Sequence, residues 1–145
     1  MAMNRTCTLL ALAAALSSTA CNERVDPPTS PQYALLPGCN VTLTRLSPNP
    51  QVVTHNTTGH VTSWHIRNNA TTAITLTGQT LKKTGNVTAV HPDNWVNFPY
   101  TLAAGSLIDA DLTYDVGAVG NGSVSMTVSA SCGSFALPGY SVTIQ

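Results

Sequence analysis

The sequence predicts an all-β chain organised as one antiparallel β-sandwich, and three observations predict it. Apolar and polar residues alternate with period two through most of the chain beyond residue 39, the pattern of half-buried strands. Turn-forming clusters at Ser47–Pro50, Asn56–Gly59, Asn68–Asn69, Gly85–Asn86, Ala104–Gly105 and Gly117–Gly122 divide those runs at fairly even intervals. Composition is the third observation: charged residues make up 8% of the chain and the formal net charge is zero, where an ordinary soluble domain carries about 25% charged residues. Thr, Ser and Asn cover the surface instead, and β-branched Thr is at home on strands. After residue 40 no amphipathic helix of normal length is legible.

The strands follow in order. Cys39, Val41 and Leu43 alternate with Asn40, Thr42 and Thr44. His60–Arg67 turns Thr62, Trp64 and Ile66 inward, and Ala73–Leu81 does the same with Ile74 and Leu76. In Leu107–Val116, residues Ile108, Ala110, Leu112, Tyr114 and Val116 share one face, and Asp109, Asp111, Thr113 and Asp115 share the other. Gly122–Cys132 alternates most cleanly, with Val124, Met126, Val128, Ala130 and Cys132 on one phase and Ser and Thr on the other. Tyr140–Ile144 closes a sandwich of about seven to eight strands. Since a one-residue slip exchanges the two faces of a strand, Val128 is predicted inside and its neighbours Thr127 and Ser129 outside.

The N-terminus has a different character. Arg5 precedes Thr8–Leu16, an apolar run too short to span a bilayer as a helix, and small residues follow from Ser17 to Ala20. That is the layout of a cleaved secretory signal, assigned here to residues 1–20. Thr19, Ala20 and Cys21 resemble the lipobox of bacterial lipoproteins, in which the cysteine is lipidated and becomes the new N-terminus. Ser18 stands where that motif has Leu, and Ser18 with Ala20 also fits ordinary cleavage to a secreted or periplasmic protein. Residues 21–38 contain Pro27, Pro28, Pro31 and Pro37, which favour an extended, semi-rigid spacer between a lipid on Cys21 and a domain at 39–145.

Cysteine arithmetic supports that division. Cys7 leaves with the signal, so the mature chain holds Cys21, Cys39 and Cys132. An odd thiol is a liability in an oxidising compartment, and lipidating Cys21 leaves one even pair. Cys39 and Cys132 both fall on inward phases, near the start and the end of the domain, and are predicted to form a disulfide.

A wider resemblance lies in the order of features. Leu46–Ser47–Pro48 comes first, and a strand ending in Arg67–Asn68–Asn69 follows. Next come Ala73–Leu76, an aromatic patch around Trp95 and Phe98, and Leu102–Ala103–Ala104–Gly105. Asp111–Tyr114 and a Gly122 that opens the long strand complete the series. This series resembles the Ig-like, PapD-like sandwich domains of the ASH/Hydin type. The resemblance covers about residues 46–131. It implies an Ig-like β-sandwich with a non-enzymatic binding or structural role, and carries no site residues. One copy only is present, which sets this chain apart from tandem arrays.

Other constellations narrow the function. No cluster of Lys and Arg is available to neutralise phosphates, which argues against a nucleic-acid partner. His55, His60 and His65 stand five residues apart, but odd spacing on a strand puts His60 and His65 on opposite faces. With His91 they read as exposed polar residues rather than metal ligands. A copper site would want His beside Cys and Met, and no His follows Met126 and Cys132. Asp109, Asp111 and Asp115 read as a solvated face, because calcium needs six to eight oxygens from a curved loop. The Asn-x-Ser/Thr triplets at Asn40, Asn56, Asn69, Asn86 and Asn121 reflect composition beside a bacterial-type signal. No G-x-S-x-G elbow or other catalytic or cofactor motif is present.

Three readings of function follow. The first is a non-enzymatic cell-envelope lipoprotein whose sandwich binds another surface or periplasmic component, with edge-strand pairing as one mode. The second is a carbohydrate-binding module using Trp95 and Tyr100 from a segment without clean alternation, where aromatics also serve as core plugs. The third is a metal-binding accessory protein built on the histidines.

Overall fold

The computed structural model describes residues 38–93 and 95–145. The expected signal segment, Cys21 and the spacer up to Pro37 lie outside them. Ten strands form among the described residues. In chain order they are β1 (Val41–Arg45), β2 (Gln51–Val53), β3 (His60–Asn68), β4 (Ile74–Gly85) and β5 (Val87–Pro92). Then come β6 (Tyr100–Leu102), β7 (Leu107–Val116), β8 (Gly120–Ala130), β9 (Gly133–Ala136) and β10 (Tyr140–Ile144).

One sheet has the order β1-β3-β7-β5, and the other β2-β10-β8-β4-β6 with β9 also on β8. The chain changes sheets between β1 and β2. β1 therefore pairs antiparallel with β3, while β2 pairs parallel with β10 in the opposite sheet. Every other pairing is antiparallel, and the inner faces of the two sheets close on one hydrophobic core. This is an Ig-like β-sandwich.

The alternation places the core as expected on the long strands. Thr62, Trp64 and Ile66 of β3 are completely buried, as are Ala110, Leu112 and Tyr114 of β7 and Val124 and Val128 of β8. Thr127 and Ser129 face outward but are half-buried. The reason is that β8 is a central strand, with β4 along one side and β9 and β10 along the other. Thr127 thus stands between Thr80 and Ala136 on the outer face. Val128→Ala is expected to cost about 1–3 kcal/mol, as large-to-small core changes do. Thr127→Ala is expected to stay within about 0.5–1 kcal/mol. Urea melts of the two variants measure this asymmetry, and equal losses would contradict the register.

On β4 the expected phase holds at Ile74 and Leu76 and then changes. The register against β8 shifts between Leu76 and Gly78, a β-bulge that puts Gln79 opposite Val128 and Leu81 opposite Met126. Without the extra residue Thr80 and Lys82 would face the core; with it Leu81 packs there. The strand also runs on to Gly85, beyond the expected end at Leu81.

The sequence placed six strands by residue within an expected seven to eight; the described residues form ten, and the four not placed are β2, β5, β6 and β9. A further difference concerns Cys132. It does not continue β8, which ends at Ala130; it lies with Ser131 in the tight turn between β8 and β9, where Ala130 pairs with Gly133.

Candidate functional site

The two described cysteines meet. Cys39 and Cys132 form a disulfide with a Cα–Cα distance of 5.1 Å, Cys39 buried and Cys132 half-buried against the core. Cys39 stands just before β1 and Cys132 in the β8–β9 turn, so the bond ties one sheet to the other. Gly38 is part of the same junction. Its φ is +114°, and a Cβ there would lie 2.3 Å from the Cys132 carbonyl oxygen, which leaves room only for glycine.

The motif residues that carried the family resemblance form an internal framework. The Ser47 N–H donates to the Tyr140 hydroxyl at 3.1 Å, and the Ser47 hydroxyl accepts from the Ser63 N–H at 3.2 Å. Tyr140 in turn donates to the Ser63 carbonyl at 2.6 Å. Burial holds the Tyr140 hydroxyl above its ordinary pKa, against the lowering effect of the Ser47 bonds. Trp64 stacks edge-on against Tyr140 at 5.0 Å and donates its indole N–H to the Pro138 carbonyl at 2.8 Å. Asn68 is fully buried. Its amide donates to the carbonyls of Thr72, Leu102 and Ala103, and its side-chain oxygen accepts from the Ala70 N–H. The strand-closing Asn and the Leu102–Gly105 segment are therefore two halves of one latch. Sequence reasoning placed Asn68 in a turn and missed that role.

The aromatic patch is divided in its exposure. Trp95 packs with Phe98 against the core, their rings edge-to-face at 5.6 Å. The Trp95 indole N–H donates to Gln79 at 2.7 Å, just past the β4 bulge. Tyr100, on β6, is an exposed residue.

Each histidine has a partner within the fold. His55 Nδ1 lies 2.9 Å from the Gln145 carbonyl oxygen, and His60 Nε2 lies 2.6 Å from the Thr57 hydroxyl. His65 meets Asp109 at 2.5 Å, and His91 meets Asp115 at 3.1 Å. His60 and His65 do turn to opposite faces of β3, His60 stacking on Tyr114 inside and His65 pairing outside. Among the described residues no group of three His, Cys, Asp or Glu side chains could hold a metal ion. The Gly59 N–H and then His91 hold the Asp115 carboxyl below its ordinary pKa. Asp115 therefore pins the 54–60 connection to β7. Burial pushes the Tyr114 hydroxyl up to about 12, and it donates to the Gln51 side chain.

The sheet edges are the remaining feature. Bonds from Asn69 N–H to the Asn40 carbonyl and from Leu46 N–H to the Ser63 carbonyl bracket β1 on β3. Main-chain groups alternate in direction along a strand. The even-numbered residues of β1 therefore bond to β3, and Val41, Leu43 and Arg45 turn their N–H and C=O groups away. β1 is the last strand of its sheet, and among the described residues none lies beyond it.

No family model matches the chain, and no curated protein matches it either. Similarity lies among solved structures. The secreted serine protease VesC from Vibrio cholerae aligns with 71% of this chain at a TM-score of 0.49 and 15% identity. The chain spans 22% of that structure's length. The ASH/PapD-like domain of human CEP192 (PapD-like domain 7) aligns with 83% of this chain and 94% of its own length, at a TM-score of 0.42 and 13% identity. The cupredoxin domain of amoB from Nitrosocaldus yellowstonii aligns over 59% of this chain and 54% of its own, at a TM-score of 0.40 and 12% identity.

Proposed function

We propose that this protein is a non-enzymatic module of the cell envelope, exported, held to a membrane through a lipid on Cys21, and presenting its Ig-like sandwich to another envelope component. The observation that carries the reading is the bond between Cys39 and Cys132. Disulfides persist in oxidising compartments, which supports export. The bond also stands immediately after the spacer, where a tether would join the domain.

A glycan-binding role for the aromatic patch would rest on the exposed Tyr100 more than on Trp95, whose indole is engaged with Gln79.

Mass spectrometry of the mature N-terminus tests the anchor. The expected result is a lipid-modified Cys21 as first residue, with Cys21→Ala released from membranes and its domain still folded. An unmodified Cys21, or a start elsewhere, ends the lipoprotein reading. A Cys21→Ala variant that stays on the membrane would point to an uncleaved signal anchor.

A further inference from the structure

We infer that the edge of β1, left open among the described residues, accepts β1 from a second copy of this chain, so that two four-stranded sheets join into one across a twofold axis. The inference rests on the anchored reading above for the concentration at which copies meet.

The outer strands of this sandwich are not equally open. β2 and β6 are three residues each and are entered through Pro50 and Pro99, and β9, whose one partner is β8, is four residues long and runs out toward Pro138. β5 is interrupted by a bulge between Val87 and Ala89 and ends in Pro92. Short strands, bulges and prolines are devices that discourage pairing at an edge. β1 has none of them: five residues in unbroken register with β3, with outward-turned main-chain groups on Val41, Leu43 and Arg45.

Those groups specify how a second strand fits. In an antiparallel pair, residues whose main-chain groups face the seam stand opposite one another. Centring the pair on Leu43 uses all five residues, with Leu43 opposite its own copy and Val41 opposite Arg45. Thr42 then faces Thr44 of the second copy on the outer surface. Cross-strand Thr pairs are favourable, and no like charges come opposite. The Arg45 guanidinium, the charged group on β1, is turned across the sandwich to the Gly139 carbonyl at 2.7 Å and over the Tyr140 ring. The aspartates Asp109, Asp111 and Asp115 lie on β7, with β3 between them and the seam. The strand is thus complementary to itself in sequence and in charge.

A five-residue seam buries less than a standard interface and is weak in dilute solution. Confinement to a membrane surface raises the effective concentration and populates it.

The register makes the test specific. Thr42→Cys and Thr44→Cys forms of the full-length protein, each with its own C-terminal tag, are expressed singly and together, and membrane vesicles from those cells are mildly oxidised. Residues 42 and 44 of two copies would stand opposite one another, within disulfide reach. Equal positions (42 with 42, 44 with 44) would be diagonal neighbours at about 7–8 Å, beyond it. The mixed sample is therefore expected to form cross-tag dimers about tenfold more than same-position dimers form in either single sample. Thr80→Cys, exposed on the opposite sheet, is expected to stay at background.

No excess in the mixed sample overturns the proposal, as does a preference for either single variant. Cross-linking by Thr80→Cys to the same extent overturns it too. Flotation of the unsubstituted protein with vesicles reads the anchor separately. If it floats and the mixed sample shows no excess, the edge pairing fails alone. If it does not float, the anchoring fails, and the same mixed-against-single comparison on concentrated soluble protein decides the pairing.

Discussion

Replacing Cys39 and Cys132 together by serine is expected to lower the stability of the domain by about 4–5 kcal/mol, the chain-entropy value for cross-linking a loop of this length. The two cysteines are separated by 93 positions, so nearly the whole domain lies inside the loop. Without the bond, the unfolded chain regains the freedom of that entire segment, while the folded state loses one contact at its end. For a domain near a hundred residues each kcal/mol corresponds to about 4–8 °C in melting temperature. Urea unfolding of the oxidised protein and of the serine variant measures the difference. A loss below about 1 kcal/mol would mean the bond contributes no chain-entropy term of this size.

Asn68→Ala is expected to cost about 1–3 kcal/mol, the range for leaving a buried polar group without its partner. The amide reaches three carbonyls from two different connections, and truncation removes that donor from Thr72, Leu102 and Ala103, of which Leu102 is buried and Ala103 keeps the Ser106 N–H. Asn68→Asp separates this from a simple loss of volume. A buried carboxylate has no hydrogens to donate, so the fold favours its protonated form and raises its pKa above the ordinary value near 3.9. With that sign, the variant lies closest to the parent protein below about pH 3.9 and falls behind as the pH rises through its folded-state value. Asp115, whose carboxyl is held low, contributes above the ordinary range and is lost on acidification. It is common to both proteins and cancels in the difference. A gap between the two that does not vary with pH would remove Asn68 from the latch.

Much of this fold was legible because the long strands bury one face only. From Val124 to Val128 and from Ala110 to Val116 the period of two is uninterrupted, and the structure buries the predicted side of each. The missed strands had no pattern to read. β2 and β6 are too short for three residues to show alternation, and β5 is broken by its own bulge. The β4 bulge hid the inward direction of Leu81, because one extra residue inverts the phase after it. Cys132 was assigned to β8 because its phase matched, although the chain turns one residue before the pattern stops. The disulfide pairing itself followed from counting cysteines. The latch at Asn68 did not, since an Asn beside a second Asn is an ordinary turn signal and nothing local marks it as buried. Which strand would be the open edge was equally out of reach, because strand order depends on pairings between distant segments.

The position of the Cys39–Cys132 bond also has a mechanical meaning. A pull arriving at residue 38 from the N-terminal side would otherwise peel β1 from β3 one hydrogen-bonded pair at a time, the direction in which a sheet resists least. The covalent link diverts that force from Cys39 into the β8–β9 turn, before β1 has borne any of it. There it meets β8, held along its length by β4 on one side and by β9 and β10 on the other. Extension then works against the pairings of the larger sheet around β8 rather than against the edge pair of β1 and β3. The outermost strand of the smaller sheet is left slack and its free side undisturbed.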